Sequence, residues 1–370
     1  MSRSVSADLR IGVIGTGMMG CEHIRNVQAL AGAEVTAISD PNDAPLEWAR
    51  RELGGRSVSE FRDHRELLDA DVVDAVIVAS PNHTHVDVLR DVLASDVPVL
   101  VEKPMCTTVD DCREIVERAS RRDAITWVGL EYRYMAPIAA LVDVVRSGRI
   151  GTTRMVAIRE HRFPFLVKVG NWNRFNRNTG GTLVEKCCHF FDLMNLIVGA
   201  RPVRVYASGA QDVNHLDEVY DGERSDILDN AFVIVDYDDG ARALLDLCMF
   251  AEGSRWEQEL VATGDAGKVE VHIPNFMELA RGRTAELVVG GRGPDWPVSE
   301  GPVADDDGIG YVGHHHGASY LEHVDFAAAV RAGQSPAVTV DDGLLSVVMG
   351  AAAHRSIDEG RAVDLAELLG

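Results

Sequence analysis

The chain has 370 residues, 46% of them hydrophobic and 25% charged, which is enough for two domains with their own cores and typical of a globular protein. A formal net charge of −22 argues against nucleic acid or an anionic membrane surface as a partner, because both would repel it. No run of about eighteen apolar residues occurs, and the opening MSRSVSADLR lacks the apolar core of a signal peptide, so a cytoplasmic protein is expected.

Leu9 to Asp40, LRIGVIGTGMMGCEHIRNVQALAGAEVTAISD, predicts strand, glycine turn, helix and strand. Gly15 permits a tight turn, Gly17 lets backbone N–H groups approach a pyrophosphate, and Gly20 lets the helix pack closely on the strand. The helix N-terminus, with Met18 and Met19 in its first turn, would then carry the diphosphate charge. Three glycines alone decide little, since a chain with 34 of them shows the spacing by chance about 0.3 times. Context adds weight. Asp40 stands at the end of the second strand, twenty residues past Gly20, where a carboxylate can accept both ribose hydroxyls of an adenosine. No Arg follows in Asp40-Pro41-Asn42-Asp43, and a carboxylate repels a 2′-phosphate, so NAD is expected over NADP. The plain alternative is another α/β turn with a solvated Asp40.

Further strand-like runs at Val72 to Ala79, Val97 to Val101 and Thr126 to Val128 alternate with helical segments at Glu60 to Leu68, Thr84 to Ala94 and Val109 to Arg121. That alternation predicts an α/β, doubly wound parallel sheet over residues 1–129, with ligands at the carboxyl ends of its strands. Two motifs fall at that edge. In Ser80-Pro81-Asn82-His83-Thr84-His85, Asn82 is expected to cap the next helix, and His85 reads as well structural as functional. In Glu102-Lys103-Pro104, Lys103 could hydrogen-bond a substrate hydroxyl and stabilise alkoxide character; a strand-end lysine facing water is the alternative. Ser80, Asn82, His85 and Glu102 join the glycine turn and Asp40 as cofactor-binding candidates.

A helix from Met135 to Arg146, closed by Gly148, precedes a change of texture. Strands now follow strands: Thr153 to Arg159, Val203 to Ser208, Ala231 to Tyr237, Arg242 to Cys248, Gln258 to Thr263 and Val269 to Ile273, with turns at Asp238-Asp239-Gly240 and Gly264-Asp265. This predicts an α+β domain over residues 130–370, built on a large, mostly antiparallel sheet with one open face. Gln211 to Asp229 and Gly290 to Gly313 read as loops, and helices return at Ala318 to Arg331 and Gly343 to Glu359, with room to pack back on the first domain. An open face needs cover, so a homo-oligomer, dimer or tetramer, is expected. Six cysteines (Cys21, Cys106, Cys112, Cys187, Cys188, Cys248) without CxxC spacing are expected as reduced thiols.

Within Gly180-Gly181-Thr182-Leu183-Val184-Glu185-Lys186-Cys187-Cys188-His189-Phe190-Phe191-Asp192, helical spacing puts Glu185, His189 and Asp192 on one stripe of an otherwise apolar helix. Buried carboxylates and imidazoles are costly unless they pair or work. Glu185 would orient the His189 ring and stabilise its protonated form, and His189 would serve as a general base. A satisfied polar seam is the bland alternative. A metal site drawing on these residues and His314-His315-His316 is the other, but consecutive rings cannot converge on one ion and no HExxH spacing appears, so no metal is expected. Asn171, Arg174 and Asn176 lie in a donor-rich, aromatic stretch suited to a polyol, though a solvated loop looks similar; with Arg133 and His315 they are the substrate candidates.

Together GVIGTGMMG, SPNHTH, VEKP, Tyr132-Arg133-Tyr134-Met135-Ala136-Pro137 leading to Gly148-Arg149-Ile150-Gly151, and GGTLVEKCCHFFD resemble the Gfo/Idh/MocA family (glucose-fructose oxidoreductase, inositol dehydrogenase, rhizopine catabolism) over nearly the whole chain. The resemblance implies an N-terminal Rossmann domain, a C-terminal open-sheet domain, and hydride transfer between NAD(P) and a secondary alcohol of a sugar or cyclitol. By it, Lys103 matches the family's EKP lysine and His189 its catalytic histidine. One departure stands out: the family usually has Asp four residues before that histidine, and here Glu185 carries the charge about a bond length further. The expectation is an NAD-dependent dehydrogenase acting on a ring hydroxyl, with a small-molecule polyol or sugar as partner. Its rivals are redox-neutral NAD-dependent glycoside cleavage or epimerisation, and a non-catalytic NAD-binding regulator, against which the intact Lys103 and His189 argue.

Overall fold

In the computed structural model, which describes residues 8–304, 306–313 and 315–370, the chain divides into two units, Met1–Tyr134 with Gly308–Leu344 and Met135–Asp307 with Leu345–Gly370. His314 of the histidine tract and residues 1–7, on which the expectation of no signal peptide rests, lie outside the described residues.

Among the described residues of the first unit, parallel strands β1 (Leu9–Ile14), β2 (Ala33–Ser39), β3 (Ser59–Phe61), β4 (Ala75–Val78), β5 (Val99–Glu102) and β6 (Thr126–Gly129) form one sheet in the order β3-β2-β1-β4-β5-β6. Between them run α1 (Met18–Ala29), α2 (Asp43–Leu53), α3 (His64–Asp69), α4 (His85–Val92) and α5 (Val109–Ala119). Every residue of β4 and β5 is buried, which is why their sequences run apolar without alternation. Strand order reverses between β1 and β4, the place where ligands bind in doubly wound sheets. The helix expected over Glu60 to Leu68 is instead β3 followed by α3, whose start is fixed by Asp63 accepting the Arg65 N–H at 2.9 Å. Helix Ala318–Ala332 belongs to this unit and packs against α1.

In the second unit the described strands β7 (Thr153–His161), β8 (Pro202–Ala210), β9 (Val219–Tyr220), β10 (Glu223–Arg224), β11 (Asn230–Tyr237), β12 (Arg242–Cys248), β13 (Trp256–Gly264), β14 (Gly267–Pro274), β15 (Glu286–Gly291), β16 (Val298–Pro302) and β17 (Val363–Asp364) are present. All but the β9–β10 ribbon join one sheet, in the order β16-β15-β14-β13-β7-β12-β11-β8-β17, antiparallel except for the β7–β12 pair. Two stretches expected as loops are thereby corrected: Gln211 to Asp229 holds the β9–β10 ribbon, and Gly290 to Gly313 holds the end of β15 and all of β16. Their glycines and short runs weaken the strand pattern, and the pairing comes from partners that composition does not show: β9 with β10, and β16 with β15 at the sheet edge. Helices Ala136–Arg146 and Cys188–Val198 cover the inner face. The outer face leaves Met155, Tyr206, Phe232, Ile234 and Leu244 exposed, with Ile234 paired in register to both Tyr206 and Leu244. No described helix is long and apolar enough to cross a membrane.

Candidate active site

The glycine turn of the first unit divides its glycines into two kinds. A Cβ on Gly15, where φ is +88°, would stand 2.5 Å from the Ser80 nitrogen, and one on Gly20 would stand 2.1 Å from the Gly15 oxygen. On Gly17 it would meet nothing within 4 Å. Two glycines therefore allow packing and the third faces open space, the form a close-approaching pyrophosphate requires. Gly17 caps α1 without a side-chain hydrogen bond, so the first-turn N–H groups that include Met18 and Met19 are presented to an anion. Asp40, 7% exposed, accepts the Thr16 N–H through Oδ2 and the Asn42 N–H through Oδ1, each at 2.9 Å. It is not the solvated aspartate of the alternative reading. Arg62, invisible as a neighbour in the sequence, reaches this loop from beyond β3, donating to the Pro41 carbonyl and pairing with Asp43.

At the end of β4, Asn82 opens a single 3-10 turn, Asn82–Thr84, and does not cap the helix that follows; its Nδ2 is buried without a partner. Ser80 Oγ accepts the Thr84 hydroxyl at 2.8 Å. His85 has one ring nitrogen 2.9 Å from the Pro104 oxygen and the other 2.9 Å from the Ser80 oxygen, which leaves neither for a cofactor. Its assignment as a cofactor ligand gives way to that of a clamp between two loops, and burial pushes its pKa down. The open side of Gly17, the uncapped amides, the unpartnered Asn82 amide and the Asp40 carboxylate together fit an adenine dinucleotide.

Lys103 follows β5 at the same edge. Behind it lies a buried polar cluster of which sequence reasoning named Glu102, Arg133 and His315 but not His23, His323, Glu131 or Glu322. Glu102 Oε1 is 2.9 Å from His23 Nε2, His23 Nδ1 is 3.1 Å from His323 Nε2, and Glu102 Oε2 accepts the Lys103 N–H at 3.1 Å. Trp127 donates to Glu322 Oε1 at 3.2 Å, while burial and then the charges of Glu131 and Glu102 raise the Glu322 carboxyl well above the usual range. His315 Nδ1 is 3.5 Å from Glu131 Oε1, and Arg133 pairs with Asp342 at 3.1 Å, so two substrate candidates sit within this unit's own network. The available signal was polar residues at inward helical positions: Glu22 and His23 beside Ile24, and Glu322 and His323 near Phe326.

In the second unit Glu185, His189 and Asp192 are all buried. The single helix expected to carry them is two pieces, Thr182–Glu185 and Cys188–Val198, broken at Lys186 and Cys187. The break falls where the Lys186 ammonium is buried 2.9 Å from Glu160 Oε1. Gln258 donates to the same oxygen at 3.4 Å, and burial followed by the Glu160 charge raises the nearby Glu257 carboxyl. His354 Nε2 accepts the Leu183 N–H at 3.1 Å and stands 2.2 Å from where a Gly181 Cβ would be, which accounts for that glycine. Among the other substrate candidates, Arg174 is buried and donates to Glu218 and Phe165, and Asn176 binds Asp226 through both its N–H and Nδ2. Both serve to hold loops together. Asn171 is half-buried in a left-handed turn with Gly170. Among the described residues no group of three or more His, Cys, Asp or Glu side chains is placed to hold a metal ion.

Residues 9–130 match the oxidoreductase family's NAD-binding Rossmann fold, and residues 142–365 its C-terminal alpha/beta domain. The myo-inositol 2-dehydrogenase of Thermotoga maritima is 28% identical over 367 residues, covering 98% of this chain and 100% of that one. The scyllo-inositol 2-dehydrogenase (NAD(+)) of Bacillus subtilis is 25% identical over 365 residues, covering 96% of each. A solved levoglucosan dehydrogenase, in complex with NADH and levoglucosan, shares the fold with a TM-score of 0.81 at 19% identity, over 97% of this chain and 99% of that one. With both of its domains matched in order, this chain belongs to the Gfo/Idh/MocA oxidoreductase family.

Proposed function

We propose that the protein transfers a hydride between the nicotinamide of NAD and a ring secondary alcohol of a sugar, sugar derivative or cyclitol. One observation carries the reading: Lys103 leaves β5 at the carboxyl edge where the glycine turn leaves β1, with β4 between the two strands. Relatives named for inositol oxidation support the alcohol chemistry. Bound at the turn, the dinucleotide supplies the hydride acceptor or donor. The Lys103 ammonium donates to the alcohol oxygen and stabilises its developing negative charge. His189 takes the hydroxyl proton on a ring nitrogen, and Glu185 orients that ring and favours its protonated form. Dinucleotide binding is assigned to residues 1–129, and substrate binding and association to residues 130–370.

Asp40 supports NAD over NADP, because its carboxylate suits a ribose diol and repels a 2′-phosphate, while Arg62 is already held by Asp43. The exposed apolar side chains of the open sheet face support self-association as a dimer or tetramer. The six free thiols suit the cytoplasm.

The test is reduced-nicotinamide absorbance with NAD or NADP and a panel of inositols, pyranoses and nucleotide sugars. A rise supports net oxidation, product without a rise indicates hydride return within one cycle, and binding without product indicates a regulator. Full turnover by Lys103→Ala overturns the assignment.

A further inference from the structure

Hydrogen bonds constrain the protons of the buried chain behind Lys103. His323 Nδ1 faces the carbonyl oxygen of Ser319, which can only accept, so that nitrogen carries a hydrogen. Burial pushes the His323 pKa down to about 3, so the ring is neutral and its Nε2 is an acceptor. His23 Nδ1, 3.1 Å away, is therefore a donor. The other His23 nitrogen meets a Glu102 oxygen at 2.9 Å, a contact that requires one more proton between them. Burial alone would raise the Glu102 carboxyl, but the hydrogen bond and charge of His23, then the charges of Lys103 and His315, bring it below the ordinary carboxylate range. Glu102 is left as a carboxylate with one oxygen on His23 and the other on the Lys103 backbone N–H. The remaining charged and titratable groups around the chain are Glu131, Glu322 and Arg133, and burial raises the Glu322 carboxyl well above its usual range.

We propose that His23 is a positioning residue for Lys103: with its tautomer fixed by His323, it holds Glu102 as an anchored counter-charge that keeps Lys103 charged and aimed. What Lys103 is needed for rests on the alcohol-oxidation reading; the linkage itself does not. Without His23 the buried Glu102 carboxylate has lost its partner and takes up a proton. Lys103 then loses a neighbouring negative charge, and its neutral amine is favoured at lower pH.

The full chain is compared with His23→Leu, His23→Gln and His323→Leu. In His23→Leu, kcat falls about tenfold while KM for the alcohol stays within about threefold, and the alkaline limb of kcat/KM moves down by about one pH unit. His23→Gln, whose amide still donates to Glu102, recovers most of kcat, and His323→Leu shifts the limb in the same direction by less. A second readout needs no substrate. The chain has four lysines, so isotope-labelled reductive methylation gives few resonances, and Lys103→Arg identifies the relevant one. Its titration midpoint is expected to fall by about one unit in His23→Leu. An unmoved midpoint in folded His23→Leu overturns the proposal whatever the activity. Should that variant not fold, the same midpoint in His323→Leu decides. Full turnover by Lys103→Ala would remove the alcohol reading and leave this titration as the test of the linkage.

Discussion

The Lys186 ammonium lies 2.9 Å from Glu160 Oε1, with the two side chains 6% and 0% exposed. Such a pair is tolerated because each charge neutralises the other, and removing one partner strands the other out of water. Lys186→Met should destabilise the protein by about 3–5 kcal/mol in urea unfolding, whereas the double variant Lys186→Met with Glu160→Gln should recover most of that loss. A single-variant cost below about 1 kcal/mol would show that Arg162, 3.9 Å from the same carboxylate oxygen, suffices as its partner.

The glycine turn separates packing from binding. Gly20→Ala forces a methyl against the Gly15 carbonyl, 2.1 Å away, and should cost about 1–3 kcal/mol of stability as well as NAD affinity. Gly17→Ala adds a methyl that meets no protein atom, so thermal unfolding should stay within about 2 °C of the parent. Calorimetric titration should nevertheless show NAD binding weakened about tenfold or more, because the methyl occupies the phosphate's line of approach. Unchanged affinity in Gly17→Ala would move the dinucleotide elsewhere.

His354 makes the second unit sensitive to acid. Burial pushes its pKa down to about 4 from an unfolded value near 6.5, with Asp358 opposing in part. The neutral ring accepts the Leu183 N–H, so its contribution is complete above the unfolded value and is lost as pH falls through the folded one. The stability at stake is about 3 kcal/mol. His354→Gln retains an acceptor without the titration, and the difference in unfolding free energy between it and the parent should narrow between neutral pH and about pH 4. A pH-independent difference would count against a neutral, buried ring.

Asp40→Ser should weaken NAD binding about tenfold or more and narrow or reverse the preference over NADP, measured by calorimetry with both dinucleotides. The variant also loses the carboxylate that accepts the Thr16 and Asn42 N–H groups, so about 1–3 kcal/mol of stability should go with it. Tighter NADP binding by the parent would contradict the cofactor assignment.

The parallel sheet was legible because its strands are buried on both faces and read as unbroken apolar runs, and the glycines near β1 had separable steric duties. Lys103 could be placed because a strand-end motif needs only the strand to be recognised. Local pattern gave out elsewhere for physical reasons. Ser59-Glu60-Phe61 is too short to show alternation, and β15 and the edge strand β16 carry Gly290, Gly291 and Gly301. The helical stripe from Glu185 to Asp192 was expected to be continuous, yet a buried ammonium interrupts it at Lys186. Asn82 has the composition of a cap but opens a 3-10 turn, and Arg174 has that of a ligand donor but is engaged by Glu218. The His23 to His323 contact joins residues 300 positions apart, a pairing that only the folded chain reveals.

Asp40 fastens the glycine turn to the end of β2, through Thr16 on one oxygen and Asn42 on the other. A recognition loop preset in this way surrenders little conformational entropy when it is filled. Swapping oxidised for reduced dinucleotide between cycles is then a matter of breaking and making contacts, with no refolding of that loop to wait for.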